Sequence, residues 1–466
     1  MTTAFWFHRD YRLQDNIALN LALDHAHETS GQLLPVALVD LEFFGSLAGI
    51  RQHSWVESLR ALQSSLNGSL SVIEVPSSSQ LASMFAERLH AAGVTRVFAT
   101  RAFDPGQVRV QKQVGQALKS LDIDLFLHDS YYAVAPGTVR KPDGTPYKVY
   151  TPFWRNWMAA GWEQPQALRD HGVSFTAIDD CTALPQPTKP APYEVKAGEA
   201  YALRTWERFK ARALDGYKDL RDRADLSGTS HLSHALAWGE IHPRTLLAEL
   251  GDQPGHEVYR KELAWREFYA DVLWHNPTSE TKYLDARFAG MRYDTGTLAE
   301  QRLEAWKQGK TGFPMVDAGM RQLLATGWMH NRVRMIVASF LVKDLHLEWQ
   351  QGAEWFEQNL ADFDPASNSH GWQWTAGCGT DASPYYRIFN PITQGLKFDP
   401  DGNYVRKFVP ELAGVSGSAV HEPWLLPSQP AGYPAPIVDH SAERAESLAR
   451  LEEIKVSPVD VHGTGA

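Results

Sequence analysis

Cysteine is scarce: the 466 residues include two, Cys181 and Cys378, far apart in the chain. That excludes a disulfide scaffold and a cysteine-rich zinc site, and it suits a reducing cytoplasm. Long apolar runs are missing as well. The longest, such as 32–39, fall far short of the ~18 residues of a membrane helix. The opening Thr2-Thr3-Ala4-Phe5-Trp6-Phe7 has no basic stretch and no small-residue cleavage site, so no secretory signal is expected. Basic charge is in deficit, with a net charge of −10, which weighs against a nucleic-acid partner. Its distribution qualifies this. From Trp306 to His346 six basic residues face two acids, whereas from Asp439 to Ala466 six acids face three bases. A basic face on an acidic protein is compatible with these counts. Hydrophobic residues at 43% and charged residues at 21% give a globular balance. The length exceeds what one ordinary core organises, so two or more domains are expected.

The first 130 residues alternate regularly. β-rich apolar runs at 4–7, 33–39, 71–75, 96–99 and 124–127 are separated by helical patterns, such as 50–66 with Trp55, Leu59, Leu62 and Leu66 at helical spacing. This rhythm predicts an α/β fold with a doubly wound, Rossmann-like parallel sheet. Such sheets bind ligands at the carboxyl ends of their strands, yet no G-x-G-x-x-G follows the first run. Prolines punctuate 131–195 (Pro136, Pro142, Pro146, Pro152, then Pro185, Pro187, Pro190, Pro192), which reads as a long connector on the surface. After Gly198 the pattern is helical to about residue 430. Loops are expected at 416–436 and a last helix at 441–454. The boundaries are therefore 1–130, a connector over 131–197, and a helical domain over 198–466.

Some motif matches fail. Gly309-Lys310-Thr311 ends like a phosphate loop, but Glu304 stands where its first glycine is required. His256-Glu257 lacks the second histidine of a zinc protease, and no serine sits in a nucleophile elbow. Four clusters remain. Gly228-Thr229-Ser230-His231-Leu232-Ser233 precedes a helical run at 235–238; hydroxyls there suit a phosphate or simply cap a helix. Glu262, Trp265, Arg266 and Tyr269 share one helical face. That face suits a planar heterocycle, or a salt-bridged surface. In Trp328-Met329-His330-Asn331-Arg332-Val333-Arg334-Met335, residues Asn331, Arg334 and Met335 fall on one face and Trp328 and Arg332 on its neighbour. Taken alone this is equally an amphipathic helix with a basic edge. The fourth cluster runs from Asp362, Asp364 and Asn368 through Trp372 and Trp374 to Gly377-Cys378-Gly379-Thr380-Asp381. No helical pattern fits 362–370, so a polar loop beside packed aromatics is the alternative.

Together and in this order the clusters resemble the photolyase/cryptochrome family, closest to the class I cyclobutane pyrimidine dimer photolyases. The likeness begins at Trp6-Phe7-His8-Arg9-Asp10-Tyr11-Arg12-Leu13, continues through Thr311-Gly312-Phe313-Pro314-Met315-Val316-Asp317-Ala318-Gly319-Met320-Arg321 and 385–395, and ends at Leu412. His8 departs from it, standing where the family usually has arginine.

The resemblance implies FAD bent inside an all-helical domain. The positions matching FAD contacts are Tyr217, Thr229, Ser230, His231, Leu232, Ser233, Arg266, Asn331, Arg334, Asp362, Asp364 and Asn368. His231 replaces a common arginine. Asn368 matches the position facing flavin N5, where plant cryptochromes typically carry aspartate, and this favours repair over signalling. Glu262, Trp265, Asn331, Met335 and Trp374 match the pocket for a flipped-out dimer. Photolyases for (6-4) lesions typically have histidine at the place of Met335. Arg221, Arg332, Arg387 and Gln394 match positions contacting UV-damaged DNA.

The reaction implied is electron transfer under blue light by a monomer that needs no metal. Trp372 and Trp349 match the first two members of a relay that photoreduces the flavin. The third usually lies about ten residues before Trp306, where Gly296 stands, and Tyr293 is the nearest aromatic residue. An antenna chromophore, deazaflavin or methenyltetrahydrofolate, would sit on the N-terminal sheet. The segment 100–107 lacks the acidic and amide residues that recur at either site, while Arg51 matches a deazaflavin-type position. Two rival readings are a cryptochrome-like light receptor and a dark flavin oxidoreductase. The second would need a nicotinamide fingerprint, which is missing.

Overall fold

The β-rich runs of the first 130 residues become five parallel strands: β1 Thr2–Phe7, β2 Gln32–Asp40, β3 Ser71–Val75, β4 Val94–Thr100 and β5 Asp124–His128. The structure, a computed structural model, describes residues 2–169, 171–380 and 386–456. The strand order is β3-β2-β1-β4-β5. Alternate residues of β1 feed two cores: Phe5 and Phe7 pack on one face of the sheet, Ala4 and Trp6 on the other. Helices cover both faces, which is why the strands read as nearly unbroken apolar runs.

The order reverses at β1, so the carboxyl ends of β1 and β4 form the switch point where such sheets place ligands. In this chain a cation and aromatic rings occupy it. Arg9, just past β1, donates to the Ala237 carbonyl at 3.0 Å and reaches Asp364 at 3.4 Å and Asp104 at 3.9 Å. Tyr11 stacks on Trp238 at 5.8 Å. The sheet thus docks against the helical half through its ligand-binding edge.

The connector is less irregular than its prolines suggest. It contains the helix Tyr150–Ala160, because Pro152 falls in the first turn, where backbone N–H groups lack helical partners anyway. Nor does it all lie on the surface: Tyr150, Phe153 and Trp157 are buried. Glu267 of the helix Pro254–His275 accepts from Trp157 Nε1 and the backbone N–H groups of Ala133 and Val134. Further on, Phe175 bridges to Leu33, covering the part of β2 that β3 leaves open.

A second correction concerns 362–370. A helix runs over Pro365–Ala376, with Asp364 as its N-cap accepting from Ser367 N at 2.8 Å. It is buried on most sides, so it shows no apolar stripe for sequence periodicity to find. Thirdly, Trp328 is not on a helix. Gly327, in left-handed conformation, ends the helix Pro314–Thr326, and His330 caps the next, Asn331–Lys343. The expected loop at 416–436 holds two 3-10 turns, Gly417–His421 and Pro423–Leu425, and the last helix spans His440–Val456. Asp381 and Tyr385 of the quoted motifs lie outside the described residues.

Candidate active site

Three helices, Pro254–His275, Asn331–Lys343 and Pro365–Ala376, wall a cavity of about 490 Å³. That is the size of a small-molecule or cofactor pocket. It gathers Tyr217, Ser230, Ser233, Arg266, Asn331, Arg334, Asp362, Asp364 and Asn368 with Glu262, Trp265, Met335, Trp372 and Trp374.

The polar groups have unused capacity. Ser230 Oγ accepts from Tyr259 Oη at 3.0 Å, and Ser233 Oγ from Trp328 Nε1 at 3.1 Å. Each hydroxyl therefore keeps its own proton for an acceptor in the cavity. Arg266 donates to the Tyr131 and Leu236 carbonyls, both at 3.2 Å, which leaves three of its five N–H groups. Asn368 donates from Nδ2 to the Ala353 carbonyl at 3.1 Å, so its amide oxygen remains as an acceptor. Asp362 pairs through Oδ2 with Arg334 at 2.7 Å, while its buried Oδ1 has no partner. An orphaned buried carboxylate oxygen costs free energy unless a ligand or water satisfies it. Free hydroxyl and guanidinium donors, a neutral amide acceptor and an unsatisfied carboxylate fit FAD, which carries an anionic pyrophosphate, hydroxyls and a ring with donor and acceptor edges. Burial pushes Asp364 up, but Arg9, Arg266 and the hydrogen bonds from Ser367 together hold its carboxyl below the ordinary value.

The apolar end has a backed wall. Trp265 stacks on Tyr150 of the connector helix, with centroids 3.7 Å apart and planes at 7°. One indole face is thereby covered and the ring is stiffened. Glu262, four residues before Arg266, forms a close ion pair with Arg221. Burial raises the carboxyl of Glu262, and Arg221 opposes that. Arg332 donates to Asp222 at 3.0 Å and lies 4.5 Å from the Phe398 ring.

Some expected residues lie elsewhere. Thr229 does not line the cavity. His231 and Leu232 line a neighbouring one of about 220 Å³, where the His231 ring lies 4.4 Å from Trp328. Arg387 lines a third, of about 290 Å³, which shares Trp374 with the first. Gln394 is on the helix Pro391–Phe398. Arg51 is buried and stacks on Phe363 at 4.6 Å. Trp349 opens the helix whose Gly352 lies against Trp372. Its ring meets Tyr283 at 6.2 Å, and Tyr283 meets Tyr293 at 6.3 Å. Sequence reasoning missed Tyr283, Tyr150, Tyr259 and Arg9. Each acts through tertiary contact, and no local pattern marks it. Among the described residues no cluster of His, Cys, Asp or Glu could hold a metal, and no helix is long and apolar enough to cross a membrane.

Comparison with known proteins matches two family models: one described as DNA photolyase over residues 3–169, the other as FAD binding domain of DNA photolyase over 259–453. A curated relative from Agrobacterium fabrum, named deoxyribodipyrimidine photo-lyase, is 38% identical over 479 residues, covering 97% of both chains. One of that name from Escherichia coli is 36% identical, covering 97% of this chain and 99% of its own. Among solved structures, a class III photolyase from Agrobacterium tumefaciens superposes with a TM-score of 0.85 at 35% identity, over 98% of each chain.

Proposed function

The chain belongs to the DNA photolyase family, and from that premise we propose that it uses light to repair cyclobutane pyrimidine dimers in DNA. The observation that carries the proposal is the shared cavity, whose polar end suits FAD and whose other end presents Glu262, Trp265, Met335 and Trp374. FAD, when bound and reduced, supplies the photoexcited electron that splits the dimer and then returns.

The chain's own residues bind and orient. Ser230, Ser233 and Arg266 offer donors to the pyrophosphate, and Tyr217, Asn331, Arg334, Asp362 and Asp364 complete the cofactor set, with the backbone of Thr229, His231 and Leu232 bracing the loop. Asn368 presents a neutral acceptor, which adds no negative charge beside a reduced ring. Trp265, stiffened by Tyr150, and Trp374 form two flat walls for the two linked pyrimidines of the dimer, whose extrusion costs a few kcal/mol. Glu262 hydrogen-bonds the pyrimidine edge, with Asn331 and Met335 closing the pocket. Arg221, Arg332 and Arg387 meet phosphates, and Gln394 a strand further along. Trp372, Trp349 and Tyr293 carry electrons to the cofactor from outside, with Tyr283 as the link between the last two.

The class I assignment implied by the motifs is kept as part of the proposal. The protein is taken to act as a single copy in the cytoplasm, where its two free cysteines stay reduced. Residues 1–130 form an antenna-type domain, 131–197 a connector and 198–466 the catalytic domain. The N-terminal sheet would carry a deazaflavin or methenyltetrahydrofolate antenna.

The test uses the purified, reduced protein with DNA carrying thymine dimers. Dimers should disappear under blue light and persist in darkness. Unchanged dimer content under light sinks the proposal and leaves the light-receptor reading standing.

A further inference from the structure

Four charged residues at the cavity mouth neutralise one another. Arg221 is in close ion pair with Glu262 and lies 3.9 Å from Asp222; Asp222 in turn accepts from Arg332 Nε at 3.3 Å and Nη2 at 3.0 Å. All four side chains are partly exposed, between 19% and 39%, so DNA can reach them. Both arginines that would meet phosphates are thus already paired with carboxylates. The two pairs differ in one respect. Glu262 lines the cavity, whereas Asp222 does not.

We propose that Glu262 and Arg221 form a latch that makes phosphate binding by Arg221 depend on entry of a damaged base. This rests on the repair reading above and concerns specificity. A dimer that enters the cavity engages Glu262, and Arg221 is then free for the strand. Undamaged DNA keeps its bases stacked, leaves Glu262 unengaged, and must break the ion pair without replacement. Charges facing Glu262 besides Arg221 are Asp222 and Arg332, and neither reaches it at ion-pair distance. Asp222 restrains Arg332 against all DNA alike, because no base competes for it.

The test measures dissociation constants of the FAD-loaded protein in the dark for undamaged and dimer-bearing duplexes. A partly exposed ion pair is worth about a two- to fivefold change in affinity. Glu262→Gln should bind undamaged DNA tighter by about that factor and dimer DNA more weakly, so the two constants move in opposite directions. Asp222→Asn should tighten both by one factor. Arg221→Gln should weaken dimer binding more than undamaged binding. Flavin absorbance at wild-type level certifies each variant as folded. The latch is refuted if Glu262→Gln leaves undamaged binding unchanged or weaker while wild type discriminates. A wild type that does not discriminate overturns the repair reading itself.

Discussion

Substituting Gly352→Ala adds a methyl where the structure has no room. Its Cβ would lie 2.2 Å from Trp372 Cη2, 2.7 Å from Cζ2 and 2.6 Å from Leu341 Cδ2. Non-bonded carbons settle about 3.5–4.0 Å apart, so the overlap exceeds ~1 Å. The indole has little freedom to retreat, because Phe356 lies 5.1 Å away and Trp306 6.1 Å, both edge-on. Overpacking of this kind costs about 1–3 kcal/mol. Replacing a helical glycine gains about 1 kcal/mol in propensity, and the clash should win because the opposing ring is rigid. A net loss of up to about 2 kcal/mol lowers the melting temperature by roughly 1–2 °C in a chain of 466 residues. The free direction for the ring is the cavity it lines. Cofactor retention and light-driven flavin reduction should therefore fall together with stability. Thermal melts and the rate at which blue light bleaches the oxidised flavin band measure both effects. A variant that melts and photoreduces like wild type would refute the packing argument and the place of Trp372 in it.

Burial pushes the carboxyl of Glu267 up to about 7 from 4.5. The folded state holds its proton longer than the unfolded one, so this contribution is fullest below the unfolded value and falls by about 3 kcal/mol as pH rises through 4.5 to 7. Glu267→Gln should remove that slope and cost about 1–3 kcal/mol at the acid end, because an amide cannot accept all three N–H groups; a wild-type-minus-variant difference that stays flat in urea unfolding across the window assigns the slope elsewhere. Tyr283→Phe and Tyr293→Phe should each slow photoreduction while pre-reduced protein repairs normally; equal photoreduction rates remove the tyrosines from the relay. Arg9→Gln removes the ion-pair partner of buried Asp364, which keeps only Arg266 nearby, and of half-buried Asp104. A broken buried pair costs about 3–5 kcal/mol, so FAD should dissociate more readily on dilution, and unchanged retention argues against that bracing role.

Much of this architecture could be read from residue order. Five β-rich runs gave five strands because parallel strands buried on both faces need continuous apolar side chains. The face carrying Glu262, Trp265, Arg266 and Tyr269 was legible because helical spacing alone brings those residues together, and all four line the cavity. The helix Pro365–Ala376 was illegible for the opposite reason: packed on most sides, it has no polar stripe to contrast with an apolar one. Trp328 was misplaced because Gly327 breaks the chain's helical course one residue earlier. Tyr150 and Arg9 could not be found, since one meets Trp265 across 115 residues and the other meets Asp364 across 355.

The stack of Tyr150 on Trp265 bears on how the chain could be dissected. A cut near residue 197, where the prolines invite one, would yield a helical fragment lacking the ring behind Trp265 and the three donors that hold Glu267, two residues further along that helix. The fragment would have every residue expected to touch FAD but a slack wall toward the lesion. In recombination between relatives, the segment 131–160 and the helix Pro254–His275 should accordingly be inherited as a unit, whatever N-terminal sheet is grafted ahead of them.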